Sequence, residues 1–291
     1  MRLVSYGPAG QERLGALVDD GRYILDLNRA DGRIPPTLLD FLRGDFWVRT
    51  RERLVDTQKT APSALVERAG VRLGAPVPRP GLIVCVGLNY KDHADEQGDP
   101  YPPAPLLFGK APGAACGPED DIVYPDGVTR LDYEVELAVI VGRTAKKVPA
   151  AKAAEAIAGY CVLNDVSARC AQFGDKQWFR GKSFDTFCPL GPWIETDLNP
   201  DNCRIRAILN GRTMQDSSTS DMIFDCRQLV SYLSHCMTLY PGTAIMTGTP
   251  SGVGFTRKPP VFLRPGDVVE VVIDGIGTLR NTVLAEAPPG N

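Results

Sequence analysis

Two glutamates one residue apart, Glu134 and Glu136, stand at the head of the apolar run Leu137-Ala-Val-Ile-Val-Gly142. Side chains along a strand alternate between its faces, so a strand here sets Tyr133, Val135 and Leu137 on one side and Glu134, Glu136 and Ala138 on the other. The apolar side belongs in a core. Two carboxylates at neighbouring positions of the same face repel unless a cation or a basic side chain stands between them. Taken alone, the pattern reads either as part of a hard-metal site or as the solvated face of a half-buried strand.

The rest of the chain bounds the choice. Its 291 residues suffice for a small domain followed by a larger one with a sizeable core. A net charge of −3 with well-mixed signs leaves no basic stripe for nucleic acid and no cationic amphipathic helix for a membrane surface, so the expected partner is a small molecule. No apolar run approaches the ~20 residues that span a bilayer. The opening Met-Arg-Leu-Val-Ser-Tyr-Gly reads as a strand rather than a signal peptide, and a cytoplasmic location is expected. Eight cysteines without a C-x-x-C pair, mostly in apolar surroundings, suit reduced thiols and argue against a disulfide framework or a zinc site. Any role that demands histidine has two candidates, His93 and His235.

Residues 1–75 read as a small N-terminal α/β domain: a strand Arg2–Tyr6, a hairpin over 13–27 turning at Asp19-Asp20-Gly21, and a short helix near 38–42. Pro76, Pro78 and Pro80 form a stiff linker, and a second domain, 76–291, begins with the buried strand 81–87. Further strands are expected over 159–166, 203–209, 243–246 and 268–273, with turns at Asn210-Gly211 and Asp274-Gly275. Only 150–158 and 226–239 have helical composition and spacing. The fold class is therefore α+β, mostly β, curled or sandwiched with a few helices outside.

A third carboxylate, Asp165, ends the apolar stretch Cys161-Val-Leu-Asn-Asp, where it reads either as a metal ligand or as the cap of a following helix. Three carboxylates without a His or Cys cluster favour an all-oxygen site, hence Mg²⁺ or Mn²⁺. Upstream, His93 and Glu96 are three apart; on a helical turn Glu96 lies beside the imidazole as in a general-base pair, although a surface pair has the same spacing. Arg169 and Gln172, again three apart, and Lys182 between Gly181 and an apolar stretch offer polar groups to an oxyanion or carboxylate, the default for a single lysine being solvation. The Gly-rich loop Met246-Thr-Gly-Thr-Pro-Ser-Gly-Val-Gly254 lacks the Lys-Ser/Thr ending of a phosphate loop, and its backbone N–H groups with Thr249 suit a carboxylate better.

The ordered set G-L-N-Y-x-x-H-x-x-E, D-Y-E-V-E-L, N-D-V-S-A-R-x-x-Q, G-K-S-F-D-T-F-C-P-L-G-P, T-G-T-P-x-G-V-G and L-x-P-G-D, spread from about Pro80 to Val283, resembles the fumarylacetoacetate hydrolase family. The resemblance implies a β-sandwich roll catalytic domain, usually in a homodimer, after a variable N-terminal domain. It implies metal ligands at Glu134, Glu136 and Asp165 and a His93–Glu96 dyad on a segment that in many members is a lid. It also implies a pocket with Arg169, Gln172 and Lys182, and a carboxylate-binding Thr249; Tyr90 of G-L-N-Y is a further candidate for touching substrate. The leading expectation is Mg²⁺- or Mn²⁺-dependent hydrolysis of a C–C bond in a 2,4-diketo acid, an acylpyruvate or a diketo-deoxy sugar acid, to pyruvate and a carboxylic acid. His93 with Glu96 would activate water, and Lys182 and Gln172 would steady the oxyanion. The alternatives are an oxaloacetate-type decarboxylase or an enol-acid isomerase on the same metal site. Ureidoglycolate lyase and a non-catalytic metal-stabilised binding protein follow after them.

Overall fold

The computed structural model describes residues 1–44 and 61–287; residues 45–60 of the expected N-terminal domain lie outside them. The chain opens with the antiparallel meander β1 (Arg2–Tyr6), β2 (Arg13–Val18) and β3 (Tyr23–Asp26). Two short helices follow, α1 (Leu27–Ala30) and α2 (Leu38–Arg43), begun by Asp26 and Thr37, whose side chains accept the backbone N–H three residues on. The short strands β4 (Leu65–Glu67) and β5 (Leu73–Gly74) complete this region.

Beyond the proline-rich linker come β6 (Ile83–Gly87), α3 (Lys91–Gln97), β7 (Leu106–Lys110), β8 (Ala115–Cys116), β9 (Ile122–Tyr124) and β10 (Leu131–Asp132). The central elements are β11 (Val135–Val141), β12 (Ile157–Asn164), β13 (Ser167–Ala168), α4 (Arg169–Asp175), α5 (Phe179–Lys182) and β14 (Cys188–Glu195). The chain closes with β15 (Arg204–Leu209), β16 (Arg212–Ser218), α6 (Cys226–Cys236), β17 (Ala244–Met246), β18 (Val268–Ile273) and β19 (Gly277–Ala285).

One sheet runs in the order β4-β3-β2-β1-β14-β12-β11-β17-β6-β7, with β5 on β1 and β8 on β14; a second runs β16-β15-β18-β19-β9. The N-terminal strands thus join the large sheet directly, Arg2 opposite Glu195 and Leu3 opposite Ile194. Every residue of β11 and β12 is buried, as their continuous apolar sequences require, whereas β15 and β18 bury alternate residues. The buried faces meet where β11, β12 and β14 pack on β15, β18 and β19, and the result is a mostly β sandwich.

Both helical expectations need trimming. The alanine-rich segment after Pro149 forms a 3-10 turn over Ala150–Ala156 and then gives way to β12, because Ile157 and the residues after it take sheet partners on β11. Helix α6 starts on a capping box, with Asp225 accepting the Gln228 N–H and the Gln228 side chain accepting the Asp225 N–H. It stops at Cys236 rather than Leu239, since Leu239 bridges to Ala145 instead.

Candidate active site

The strand carrying the two glutamates is interrupted, and the interruption builds the site. Val135 pairs with Asn164 across β11 and β12, and Asp132 pairs with Ser167 across β10 and β13. The register is the same on both sides of the gap, so Glu134 falls opposite Asp165, whose N–H donates to the Glu134 carbonyl at 2.8 Å. Glu136, two residues along, shares their face. The ligand atoms of Glu134, Glu136 and Asp165 all lie within 4.8 Å of one another, and all three residues are buried.

Bases converge on this triad from the elements around it. Lys182 at the end of α5 donates to Glu134 Oε2 and Asp165 Oδ2, each at 2.7 Å. Arg169 at the start of α4 donates to Glu134 Oε1 at 2.5 Å, to Asp132 Oδ2 at 2.9 Å and to Gln172 Oε1 at 2.9 Å. Lys110, at the end of β7, donates to Asp165 Oδ1 at 2.5 Å and to the Val166 carbonyl at 3.1 Å. Helices α4 and α5 can approach this closely because a Cβ on Gly181 would lie 2.6 Å from the Gln172 backbone nitrogen. Neither Lys110 nor Asp132 stands out as a site residue in sequence. Lys110 gives the weaker signal, a lysine closing an otherwise apolar strand, while Asp132 continues the alternation of Glu134 and Glu136 by one more step.

Four buried acids, Asp132, Glu134, Glu136 and Asp165, thus face three buried bases, Lys110, Arg169 and Lys182. Burial opposes ionisation of Glu134, but Arg169 and Lys182 outweigh it and hold its carboxyl well below the usual range. Burial, then the neighbouring Asp165 and Glu134, push Glu136 well above that range. Its hydrogen bond from the Gly248 N–H, at 2.8 Å, does not compensate. The fourth acid of the cluster, Glu136, is therefore the one that favours keeping its proton.

A roof closes over this floor. β17 lies beside β11, with Met246 opposite Ala138, and so delivers the Gly-rich loop next to Glu136. Gly248 has φ +97 and no room for a Cβ, which would meet the Asn89 Cβ at 2.9 Å. The loop returns to the floor where the Gly254 and Phe255 N–H groups donate to Asp132 at 2.8 and 3.1 Å. Helix α3 rests on this loop through Glu96, which accepts from the Gly252 N–H at 3.1 Å and the Thr256 hydroxyl at 3.0 Å. Asp92 adds bonds from Ser217 and from Ser251. The segment expected to be a lid is thus a docked helix.

On α3, His93 Nδ1 lies 2.7 Å from Glu96 Oε1 and Nε2 lies 3.0 Å from Gln97 Nε2. A carboxylate only accepts, so Nδ1 carries a proton, while Nε2 is covered by the Gln97 amide. Glu96 itself is pushed up by burial, but the bonds from His93 and Gly252 win and its pKa is lowered.

His93, Glu134, Glu136, Arg169, Gln172, Lys182 and Thr249 line one cavity of about 170 Å³, with Asp165 beneath them holding Lys182. Gln97, which no sequence pattern singles out, lines it as well. Phe108, Phe173, Trp178 and Phe255 form an apolar wall, the Arg169 guanidinium lying 4.4 Å from the Phe255 ring centre and the Lys182 ammonium 5.2 Å from that of Phe108. Tyr101 and Phe179 are exposed and do not line the cavity. Tyr90 also stands outside its lining, fully buried, with a hydroxyl that has no hydrogen-bond partner.

The donor set fits a divalent cation. Three buried carboxylates converge, these acids together with Asp132 outnumber the three buried bases, and only oxygen is offered, as hard cations prefer. Lys182 bridges Glu134 and Asp165, so an entering cation must share or displace that ammonium.

Comparison with known proteins agrees with this architecture. The sequence model of the family described as fumarylacetoacetate (FAA) hydrolase C-terminal matches residues 82–284. A mitochondrial oxaloacetate tautomerase from Bos taurus is 42% identical over 98% of this chain and 92% of its own length. The solved structure of a fumarylacetoacetate hydrolase from psychrophilic Exiguobacterium antarcticum superimposes with a TM-score of 0.85 at 37% identity, covering 98% of this chain and all of that one. That of a 5-carboxymethyl-2-hydroxymuconate delta-isomerase from Mycobacterium smegmatis gives 0.78 at 37% identity over 99% of this chain and all of its own. The chain belongs to the fumarylacetoacetate hydrolase family. Members of this family are enzymes that act on small molecules, and the named relatives include enol–keto tautomerases and isomerases beside hydrolases. Among the described residues no helix is long and apolar enough to cross a membrane.

Proposed function

We propose that the protein interconverts the enol and keto forms of oxaloacetate or a closely related 2-oxo acid, with Mg²⁺ or Mn²⁺ held by Glu134, Glu136 and Asp165. The observation that carries this reading is an imidazole held at Nδ1 by Glu96 and lining the same cavity as two carboxylates of the triad. Enol–keto exchange needs one group that moves a proton to or from C3 and an electrophilic centre that steadies the 2-oxygen. The relatedness to an oxaloacetate tautomerase over nearly the whole chain points the same way. This replaces hydrolysis as the leading expectation.

When bound, the cation would polarise the 2-oxo group as a Lewis acid. His93 Nε2 would take the C3 proton and hand it to the 2-oxygen on the way to the enol, and carry it back to C3 on the way to the ketone, so that a single hydrogen changes place. Glu96 would hold the resulting imidazolium at Nδ1. Gln97 covers Nε2 and must turn aside for substrate to reach it. Gln172 spends its oxygen on Arg169, which leaves its amide hydrogens for a substrate oxygen. The Thr249 hydroxyl would hold a carboxylate, and the aromatic wall would exclude water.

Hydrolysis of a 2,4-diketo acid is the second reading, because a His93–Glu96 pair can deprotonate water as well as carbon. The two separate in one experiment. Enol-oxaloacetate is followed by its ultraviolet absorbance, and a small acylpyruvate by mass spectrometry, each with Mg²⁺, Mn²⁺ or EDTA. Metal-dependent acceleration of enol decay without cleavage of the acylpyruvate is expected. Pyruvate plus an acid, with enol decay at the buffer rate, would make the protein a hydrolase. Loss of CO₂ from oxaloacetate would make it a decarboxylase.

The same reading has 76–291 as the catalytic domain after a small N-terminal domain, 1–75, in a cytoplasmic homodimer. Support comes from a family match that begins at residue 82 and from eight free cysteines, as in a reducing compartment.

A further inference from the structure

Gln215 lies on β16, in the second sheet, and is 1% exposed. Its side chain nevertheless reaches through to the site. Oε1 accepts the Val135 N–H at 3.0 Å, and Nε2 donates to Thr249 Oγ1 and to the Pro250 carbonyl, each at 2.8 Å. The orientation of this amide is determined twice. A backbone N–H can only donate, which puts the amide oxygen beside Val135, and a carbonyl can only accept, which puts the amide nitrogen beside Pro250.

Two consequences follow from that orientation. A hydroxyl can donate or accept, but Thr249 Oγ1 already receives an N–H, and no protein group accepts its hydrogen among the described residues. Thr249 lines the cavity, so its O–H is available to an oxygen acceptor there. The second consequence is one of distance. Val135 stands between Glu134 and Glu136, and one rigid amide ties its backbone to Thr249, so Gln215 holds the hydroxyl at a fixed separation from the carboxylate triad, beside the anchor that the loop makes from the Gly248 N–H to Glu136.

We propose that Gln215 is a positioning residue: it turns Thr249 into a dedicated donor and fixes that donor's distance from Glu134 and Glu136, so that the site selects ligands whose carboxylate spans this gap. The inference rests on the reading of the cavity as a carboxylate-binding, cation-holding site. It concerns a residue that touches neither substrate nor cation.

The test is binding of oxalate, a compact dicarboxylate, to the Mg²⁺-loaded full-length protein by calorimetry, with melting temperatures recorded in parallel. Gln215→Glu keeps the side-chain shape but can only accept, so the Thr249 hydrogen turns inward, and oxalate affinity should fall about tenfold. In a Thr249→Val background the same substitution should change affinity less than twofold, and in Thr249→Ser, which restores a hydroxyl, the tenfold effect should return. If Gln215→Glu does not fold, Gln215→Met, which lacks donors and acceptors, takes its place in the same three backgrounds. An equal loss in the Val and Ser backgrounds would show that Gln215 acts only through general packing and would overturn the proposal. Failure of the wild-type protein to bind oxalate would overturn the carboxylate-site reading, and the proposal with it.

Discussion

The floor and the roof of the cavity are held by different forces. On the floor, Glu134 and Asp165 face each other in the gap between paired strands and are locked by Arg169, Lys182 and Lys110, all of them buried. On the roof, the seven-residue helix α3 is attached by side-chain hydrogen bonds that are partly exposed, among them Asp92 to Ser217 and Glu96 to Thr256. A buried ion pair in a low-dielectric site resists disruption, whereas partly solvated hydrogen bonds exchange with water at little net expense. The carboxylate floor, proposed to hold the cation, is thus preorganised, and the His93–Glu96 helix, proposed to move the proton, is the part that can open.

The comparison breaks most visibly at Glu134. Glu134→Gln takes one of two carboxylates from Arg169, which keeps Asp132, and one of two from Lys182, which keeps Asp165; removal of one member of a buried pair typically destabilises by about 3–5 kcal/mol. A large drop in melting temperature together with loss of activity is expected; a thermal scan showing an unchanged metal-free protein would mean that the floor is not electrostatically locked. On the roof, His93→Ala should lower turnover of oxaloacetate by at least about a hundredfold, the usual scale of general acid–base catalysis. Cation binding and melting temperature should stay near wild type, and a substantial loss of cation affinity in this variant would show that roof and floor are one unit.

A finer contrast lies within the floor. Because the folded pKa of Glu136 is raised, the native protein keeps a proton that the unfolded chain releases near the ordinary value of 4.5. The stability it lends is full below that value and is lost as pH rises through the folded pKa. For Glu134, whose folded pKa is lowered, the contribution is present above the unfolded pKa and lost as pH falls. Two predictions follow, both readable between pH 5 and 8. The metal-free protein should lose stability with rising pH in a way that Glu136→Gln abolishes, and Mg²⁺ affinity should rise with pH because the cation competes with the Glu136 proton. A flat Mg²⁺ affinity over this range would contradict the assignment.

The smallest effect is expected at the hinge of the roof, where Asp221 accepts the Asp92 N–H at 2.9 Å. Asp221→Ala should cost about 0.5–1.5 kcal/mol, as for one hydrogen bond, and should raise KM a few-fold with little change in kcat. An equal fall of kcat would show that opening of α3 limits turnover.

Much of this was legible in the sequence where the chemistry is local. The alternation of Glu134 and Glu136 states that both share a face, and the spacing of three in His93 and Glu96, and in Arg169 and Gln172, states that each pair meets on a helix. The hairpins at Asn210-Gly211 and Asp274-Gly275 were equally readable, because residues there adopt positive φ. The break in the strand between Asp132 and Val135 was not readable, and neither was the docking of α3. A break preserves the alternation on either side of it, and the docking depends on Gly252, Thr256, Ser217 and Ser251, which are remote in the chain.

The amino-acid sequence alone determined which groups are present and which of them share a face, since strand and helix periods are properties of a single segment. It also determined the family, through six motifs in order. Only the tertiary structure decided that Glu134 stands opposite Asp165, that Lys110 and Asp132 complete the charge pattern, and that Gln215 reaches Thr249 from another sheet. Those contacts depend on register and on sheet packing, which arise from the whole set of buried side chains at once, and no local pattern encodes them.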